Sequence, residues 1–323
     1  MWFRNLQLYR LGEAFEDTPE AFEERLRSNT FRPCGRMDAA TNGWAPPLGR
    51  HGTQLVHAAS GYLMICARRE EKLIPAGVVR QLLDERVAAV EVAEDREVYR
   101  RERLRMKEDI IVDILPRALS RITDQYAYID IRNCLLVVDS ASPAKAEALI
   151  GLLRGTLGRF PATPVKVRHA LGGLMTRWLS GESLPADLSL GNECELRHPD
   201  PEGGVISCKH QDLAAGEVRN HIRSGKVAVK LALHWKNRLS CVLHEDLSLR
   251  RLHFEDIIRE QESEAGADDA ASRFDLDFSL MVLELAAFLP SMLEALGGEV
   301  LPDGGRYAAE AATISDAALA ETA

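Results

Sequence analysis

Three runs of alternating apolar residues, Val227–Trp235, Leu239–His244 and Leu249–Phe254, follow one another with only short polar turns between them. A succession like this reads as three antiparallel strands in a meander. It also constrains the class of the whole chain, because strand and helix patterns come in blocks rather than in strict alternation. The expected fold is α+β, with mixed or antiparallel sheets and long helices, and not a doubly wound parallel sheet. A chain of 323 residues buries a substantial core and is expected to divide into two or three sub-domains. No internal repeat is visible.

The other elements are read around that meander. Residues 2–11 alternate through Trp2, Phe3, Leu6, Leu8, Tyr9 and Leu11 and predict a strand. Thr18-Pro19-Glu20 supplies a cap, a proline at the first helical position and an acid in the first turn, so a helix to about Ser28 is expected. Prolines and glycines crowd residues 32–54, which read as a long loop anchored by Trp44; residues 61–68 read as a buried strand. After Pro75, apolar residues at 79, 82, 83, 87, 90 and 93 predict a helix that continues through a charged stretch to Lys107 and stops at Pro116. Tyr126–Ile131 and Leu135–Val138 are strand-like, and Ser142-Pro143 opens a helix ending near Gly155 or Gly158.

Residues 160–204 are broken by prolines and paired glycines, with one short helix at Leu171–Leu179, and a sub-domain junction is placed there. Val205–Cys208 predicts a strand, Ala214–Ile222 a helix, and 254–262 and 272–296 two more helices. The expected organisation is an α+β region at 1–160 with a basic helix at 96–107, and a second α+β region at 161–301 with the meander and a long final helix. A tail at 302–323, rich in Ala, Glu, Asp and Thr, is expected to be disordered.

Composition narrows the partners. The longest apolar stretch, Phe278 to Leu296, is interrupted by Glu284, Pro290 and Glu294, each expensive in lipid, so a buried amphipathic helix is expected and no membrane partner. The first residues carry no secretory pattern. Six cysteines, at 34, 66, 134, 194, 208 and 241, form no Cys-x-x-Cys pair and read as free thiols of a cytoplasmic protein. The net charge of −9 is unevenly spread. Residues 255–323 hold 16 acidic and 3 basic side chains, which leaves 33 acidic and 37 basic in the body of the chain. The body is therefore mildly basic, which permits a nucleic-acid partner without demonstrating one.

The most informative cluster is Arg96, Arg100, Arg101, Arg103, Arg105 and Lys107. On one helix, 96, 100, 103 and 107 would share a face spanning roughly 16 Å. A duplex carries about one charge per 1.7 Å of axis, so such a face could meet several phosphates; the competing reading is a solvated, salt-bridged surface. A second basic group is Lys209, Arg219, Arg223, Lys226 and Lys230, with the wet face of a half-buried strand as its alternative. Cys194 with His198, Cys208 with His210 and Cys241 with His244 are weighed as zinc ligands, but their spacings fit no standard knuckle. Asp275, Asp277 and Glu284 are weighed as a divalent-metal set for a nuclease, against the simpler reading that Ser272 or Asp275 caps the last helix. No phosphate loop, dinucleotide fingerprint or nucleophile elbow is present in the sequence, so no cofactor is expected.

Several longer segments are more specific. They are Met1-Trp2-Phe3-Arg4-Asn5-Leu6, Phe31-Arg32-Pro33-Cys34-Gly35, Gly43-Trp44-Ala45-Pro46-Pro47-Leu48-Gly49, Ile65 through Pro75, Leu115-Pro116-Arg117-Ala118, Ser120-Arg121, Gln211-Asp212-Leu213, Asn220-His221-Ile222 and Arg273-Phe274-Asp275 with Asp277-Phe278. In order and spacing, from residue 1 to about 299, the chain resembles the RdgC family of recombination-associated proteins. The resemblance is weakest across 160–200 and absent from the tail.

What it implies is a ring-shaped homodimer closed at two interfaces. Duplex DNA would pass through a basic hole, bound without sequence preference in the nucleoid, and RecA-promoted strand exchange would be restrained without catalysis. It would place Arg96, Arg100, Arg101, Arg103, Arg105, Lys107, Arg117, Arg121, Lys209 and Lys226 toward DNA, and Leu119 and Gln211 at the two interfaces. Two positions depart from the pattern: Leu119 stands where the family can carry Phe, and His210 where it can carry Lys. The rival functions are the metal-dependent nuclease and a regulator that contacts RecA directly.

Overall fold

The computed structural model describes residues 2–200, 202–255 and 269–301. The fold is α+β, built on one twelve-stranded sheet whose named strand pairings are all antiparallel, with seven α-helices among the described residues. The first strand, β1 (Asn5–Leu11), lies at its middle. One half holds β2 (Ala40–Ala45), β3 (Val56–Ala59), β4 (Tyr62–Lys72), β5 (Ser120–Asp130) and β6 (Leu135–Asp139). The other holds β8 (Leu188–Arg197), β9 (Val205–Lys209), β10 (Val227–Trp235), β11 (Leu239–His244) and β12 (Leu249–Phe254), with the short β7 (Ala162–Pro164) beside β1. The order across the sheet is β2-β4-β5-β6-β1-β12-β11-β10-β8-β9, with β3 on the same edge of β4 as β2.

Strand alternation in β1 supplies both faces of the core. Leu6 and Leu8, with Phe3 before them, enter one cluster, and Tyr9 and Leu11 enter the other. The first cluster is roofed by α5 (Leu171–Ser180) and α7 (Ala270–Ala295), through Leu174, Met175 and Trp178 and through Phe278, Met281, Leu285 and Phe288. The second is roofed by α1 (Pro19–Arg27) and α4 (Pro143–Leu157), through Phe22 and Leu26 and through Leu149, Ile150 and Leu153. Helix α6 (Gly216–Arg223) adds Val218 to the first. Helix α7 is long and apolar enough to cross a membrane by length and composition, yet half of its most apolar stretch is buried against the sheet.

Local chemistry explains most element ends. The Thr18 side chain accepts from the amide of Ala21 at the start of α1, with Pro19 at the first helical position as expected. Trp44 is fully buried, and its indole N–H donates to Thr156 at 2.9 Å. Its stretch is not wholly loop, however, because Ala40–Ala45 pairs with β4. The pairing depends on Gly43, where a Cβ would lie 2.6 Å from the backbone of Phe31. A glycine that reads as a loop breaker is here the residue that lets a second chain segment approach a strand.

Other expectations need correction. Residues 160–204, expected to be broken, contain β7 and the ten-residue β8, in which Gly191 makes room for Ala232. Strand β5 begins at Ser120 rather than Tyr126, because its first half is exposed on both faces and shows no apolar alternation. Of the two arrangements expected, mixed or antiparallel, the sheet adopts the antiparallel one. Asp269, not Ser272 or Asp275, caps α7 by accepting from the amide of Ser272 at 2.7 Å. The helix expected at 254–262 does not begin at Phe254, which ends β12, and its residues 256–262, like the tail at 302–323, lie outside the described residues.

His244, on β11, is a charge-sensitive point in this packing. Burial first, and then the nearby Arg250 guanidinium, push its pKa down from 6.5 to about 4, against the opposing pull of Asp246. The unfolded chain therefore takes up this proton before the folded one does. The neutral imidazole contributes stability that is fully present above about 6.5 and is lost as pH falls toward about 4. His57 is shifted in the same direction by burial. Replacing His244 with Gln is expected to shrink the loss of urea resistance between neutral pH and about 4.5. An unchanged pH dependence of the denaturation midpoint would show that His244 does not carry it.

Candidate nucleic-acid interface

The expected continuous helix from Pro75 to Pro116 is two antiparallel helices, α2 (Ala76–Glu94) and α3 (Arg100–Ile114). The chain turns at Asp95, which adopts the left-handed conformation with φ 48°, one that short polar side chains tolerate. The amide of Val98 is satisfied by the Glu91 carboxylate at 3.0 Å. The hairpin closes on a small core of its own, Val79, Leu83, Val87 and Ile110, supported by Ile74, Val98 and Met106.

This break changes the basic face. Arg96 lies in the turn, outside either helix, so the set 96, 100, 103 and 107 does not form one helical stripe. Its guanidinium is held by Glu94 at 2.5 Å and by both oxygens of Glu102 at 2.8 Å, an arrangement that raises the Arg96 pKa and lowers that of Glu102. Arg103 is paired with Asp84 of α2. Both are therefore staples of the hairpin. Arg100, Arg101, Arg105 and Lys107 are exposed and make no ion pair among the described residues. Arg100 and Lys107 are two turns apart along one line, about 10 Å, and Arg101 and Arg105 form a second line about 100–140° round the helix, with exposed Glu108 between the two.

The remaining expected DNA-facing residues are spread along the sheet. Arg117 is exposed in the short 3-10 turn that ends α3. Arg121, on β5, is exposed but paired with Glu71 of β4. Lys209 is exposed at the end of β9, Lys226 is half-buried before β10, and Lys230 is paired with Glu195. Leu119 is 78% exposed, and Leu73 and Ile122 nearby are exposed as well; the Leu73 amide donates to the Leu119 carbonyl at 2.7 Å. Gln211, half-buried beyond β9, donates its side-chain amide to Glu217 at 2.6 Å. Leu119 and Gln211 thus sit toward opposite ends of the sheet.

The three acids weighed for metal chemistry do not converge. Successive helical residues are rotated by about 100°, so Asp275 and Asp277 of α7 face different ways. Asp275 lies 3.1 Å from His57 Nε2, Asp277 is buried, and the buried Glu284 accepts two hydrogen bonds from Arg238, each 2.7 Å. Among the described residues no group of three or more His, Cys, Asp or Glu side chains is placed to hold a metal. Cys241 is buried opposite Leu233 in the sheet, and burial pushes its thiol up to about 12.

One feature was not readable from the sequence. Asp275 and His57 line a polar cleft of about 750 Å³ with Arg50, His51, Thr53, Gln54 and Ser272. His57 and Asp275 are far apart in the chain, and only the packing of α7 beside β3 brings them together.

A family model described as "Putative exonuclease, RdgC" matches residues 1–299. Proteins named Recombination-associated protein RdgC are similar to the chain over nearly its whole length. The one from Aeromonas hydrophila subsp. hydrophila is 44% identical over 299 residues, 93% of this chain and 99% of the relative. That of Halorhodospira halophila is 44% identical over 302 residues, 94% of this chain and 100% of its own. That of Psychromonas ingrahamii is 40% identical over 299 residues, with 93% and 99% covered.

The pairing of Glu284 makes a prediction that separates structural from metal-binding acids. Glu284→Gln is expected to lower stability by about 1 kcal/mol, a modest loss because Arg238 remains partly exposed. Asp275→Asn, at an exposed carboxylate, is expected to cost less. Chemical denaturation of both variants checks the order; a stabilised Glu284→Gln, as when a divalent-metal site loses its repulsion, would reverse the assignment.

Proposed function

The chain belongs to the RdgC family of recombination-associated proteins, and from that premise we propose that it binds double-stranded DNA without reading its sequence and without catalysing a reaction. It acts in this reading as a homodimeric ring around the duplex, in the nucleoid of the cytoplasm, and restrains RecA-promoted recombination by occupying the DNA.

The observation that carries the proposal is the quartet Arg100, Arg101, Arg105 and Lys107, exposed on α3 with no ion pair among the described residues. Cations left without internal partners on a protruding hairpin suit phosphates, which attract them at any sequence. Arg117, Lys209 and Lys226 extend the basic surface. Closing two protomers into a ring requires contacts at two separate places, and exposed Leu119 at one end of the sheet and Gln211 at the other offer them. The non-catalytic part of the reading is supported by the engagement of Asp275 with His57 and of Glu284 with Arg238.

Replacing Arg100, Arg101, Arg105 and Lys107 with Ser is expected to weaken duplex binding for every sequence. The slope of log K against log salt should become shallower by roughly 3–4, and Arg96→Ser should leave it nearly unchanged. Fluorescence anisotropy across a salt series reads both. A quadruple variant with wild-type affinity would place binding elsewhere, and nicking of plasmid in magnesium or manganese would replace the binding reading with the nuclease. If the quadruple variant loses DNA yet still inhibits RecA, direct contact is the mechanism.

The interface reading has its own test. Leu119→Asp puts a charge where a single protomer is solvent-exposed, so the monomer fold tolerates it, whereas a dimer would bury it unpaired. The expected result by native mass measurement is a folded monomer from a dimeric parent. A parent that is already monomeric at micromolar concentration would remove the ring.

A further inference from the structure

Strand β9 is the last strand of the sheet and, among the described residues, is paired with β8 alone. Along that single pairing, Cys194 of β8 and Cys208 of β9 are direct register partners. Directly opposed residues of antiparallel strands put their side chains on the same face with Cα atoms about 4.5–5.5 Å apart, within the separation that a disulfide spans. Both cysteines are reduced. Cys194 is fully buried, whereas Cys208 is half-buried, like Ile206 on the same face of β9. The Cys194 thiol is pushed up to about 12, by burial first and then by its contact with Cys208. None of the other four cysteines is so placed. Cys34 is beside Thr41 and Glu70, Cys134 is near the Ile131 carbonyl, and Cys66 and Cys241 stand opposite Tyr126 and Leu233 in their strands.

We propose that Cys194 and Cys208 are an oxidation site at which a hydroperoxide forms a cross-strand disulfide that fastens β9 to β8. Cys208, the accessible sulfur, attacks one peroxide oxygen as a thiolate. The O–O bond breaks, the remaining oxygen leaves as an alcohol (water, for hydrogen peroxide) carrying the proton, and Cys208 becomes a sulfenic acid. The Cys194 sulfur then attacks the Cys208 sulfur. The S–S bond forms, the S–O bond breaks, and the hydroxyl departs as water with the Cys194 proton. Two thiols are oxidised, one peroxide is reduced, and the product is neutral, which suits the buried side of the pair. The consequence is local. Residues of an edge strand held on one side exchange their amides through small openings, and the cross-link closes that route. Lys209 at the end of β9 and Gln211 just beyond it are held with the strand.

The full chain treated with hydrogen peroxide, alkylated and digested without reductant is expected to yield the peptide holding Cys194 joined to that holding Cys208. Its mass should be lower by two hydrogens and be restored by dithiothreitol. Amide exchange at 205–209 should slow by roughly tenfold in the oxidised protein, and Cys208→Ser should abolish both effects. Cys194→Ala tests the other partner, and the wild-type peptide map stands even if that buried substitution unfolds the chain. Full alkylation of both thiols after peroxide, accumulation of Cys208 sulfinic acid, or a Cys208 linkage to any other cysteine or to a second chain would each overturn the proposal.

Discussion

Strand β1 is bonded to three strands at once, and the joining of the two halves of the molecule depends on it. One edge runs along β6, from Leu6 opposite Asp139 to Arg10 opposite Leu135. The other is divided, with Asn5 and Leu6 paired to β12 and Tyr9 to Leu11 paired to β7. Two register pairs with β12, supplemented by the Leu252 amide donating to the Arg4 carbonyl at 2.8 Å, therefore make the main-chain seam between β1 and the meander. So few hydrogen bonds give little net stabilisation, each being worth about 1 kcal/mol. Side chains must hold the seam. Phe3, Leu6 and Leu8 do so by entering the same cluster as Leu249, Phe254, Met281 and Leu285, so the first strand and the last helix bury one another.

The α2–α3 hairpin follows the opposite rule. Its own core is four buried aliphatic residues, and much of its surface is charged. A small core leaves the relative position of the two helices to electrostatics, and Arg103 with Asp84 and Arg96 with Glu94 and Glu102 supply it. These exposed pairs are individually weak, but they select which cations remain available. A row of arginines in the sequence is thus divided by geometry into those that close the hairpin and those that face solvent.

That division shows what the sequence could and could not disclose. The meander, α1 with its Thr18 cap, and α5 were legible because apolar period and capping chemistry agreed. The turn at Asp95 was not, because helical spacing of cations at 96, 100, 103 and 107 continues straight through it and no glycine or proline marks it. Strands β2 and β8 were hidden by Gly43 and Gly191, whose role is to admit a neighbouring segment. The cation-rich segment itself could be found by composition, but the pairing of Arg103 and Arg121 could not, since Asp84 and Glu71 are brought to them only by the fold. The register of Cys194 against Cys208 was equally invisible, because two cysteines in neighbouring segments face each other only after β8 is recognised as a strand.

The acids of α7 complete the electrostatic argument. A carboxylate-rich helix in a chain proposed to bind a polyanion would oppose that function if its charges were free. Here Glu284 is chelated by Arg238 from the turn between β10 and β11, and Asp275 meets His57 from β3. The Arg238 contact neutralises Glu284 within the fold, and both contacts tie α7 to the sheet it covers. The same side chains that would have formed a metal site therefore act as anchors of the last helix. What remains exposed without an ion pair on α3 is four cations, Arg100, Arg101, Arg105 and Lys107, against two acids, Glu108 and Asp109. At separations beyond roughly 8–10 Å in physiological salt, screening makes the local arrangement of these charges matter more than the net charge of −9.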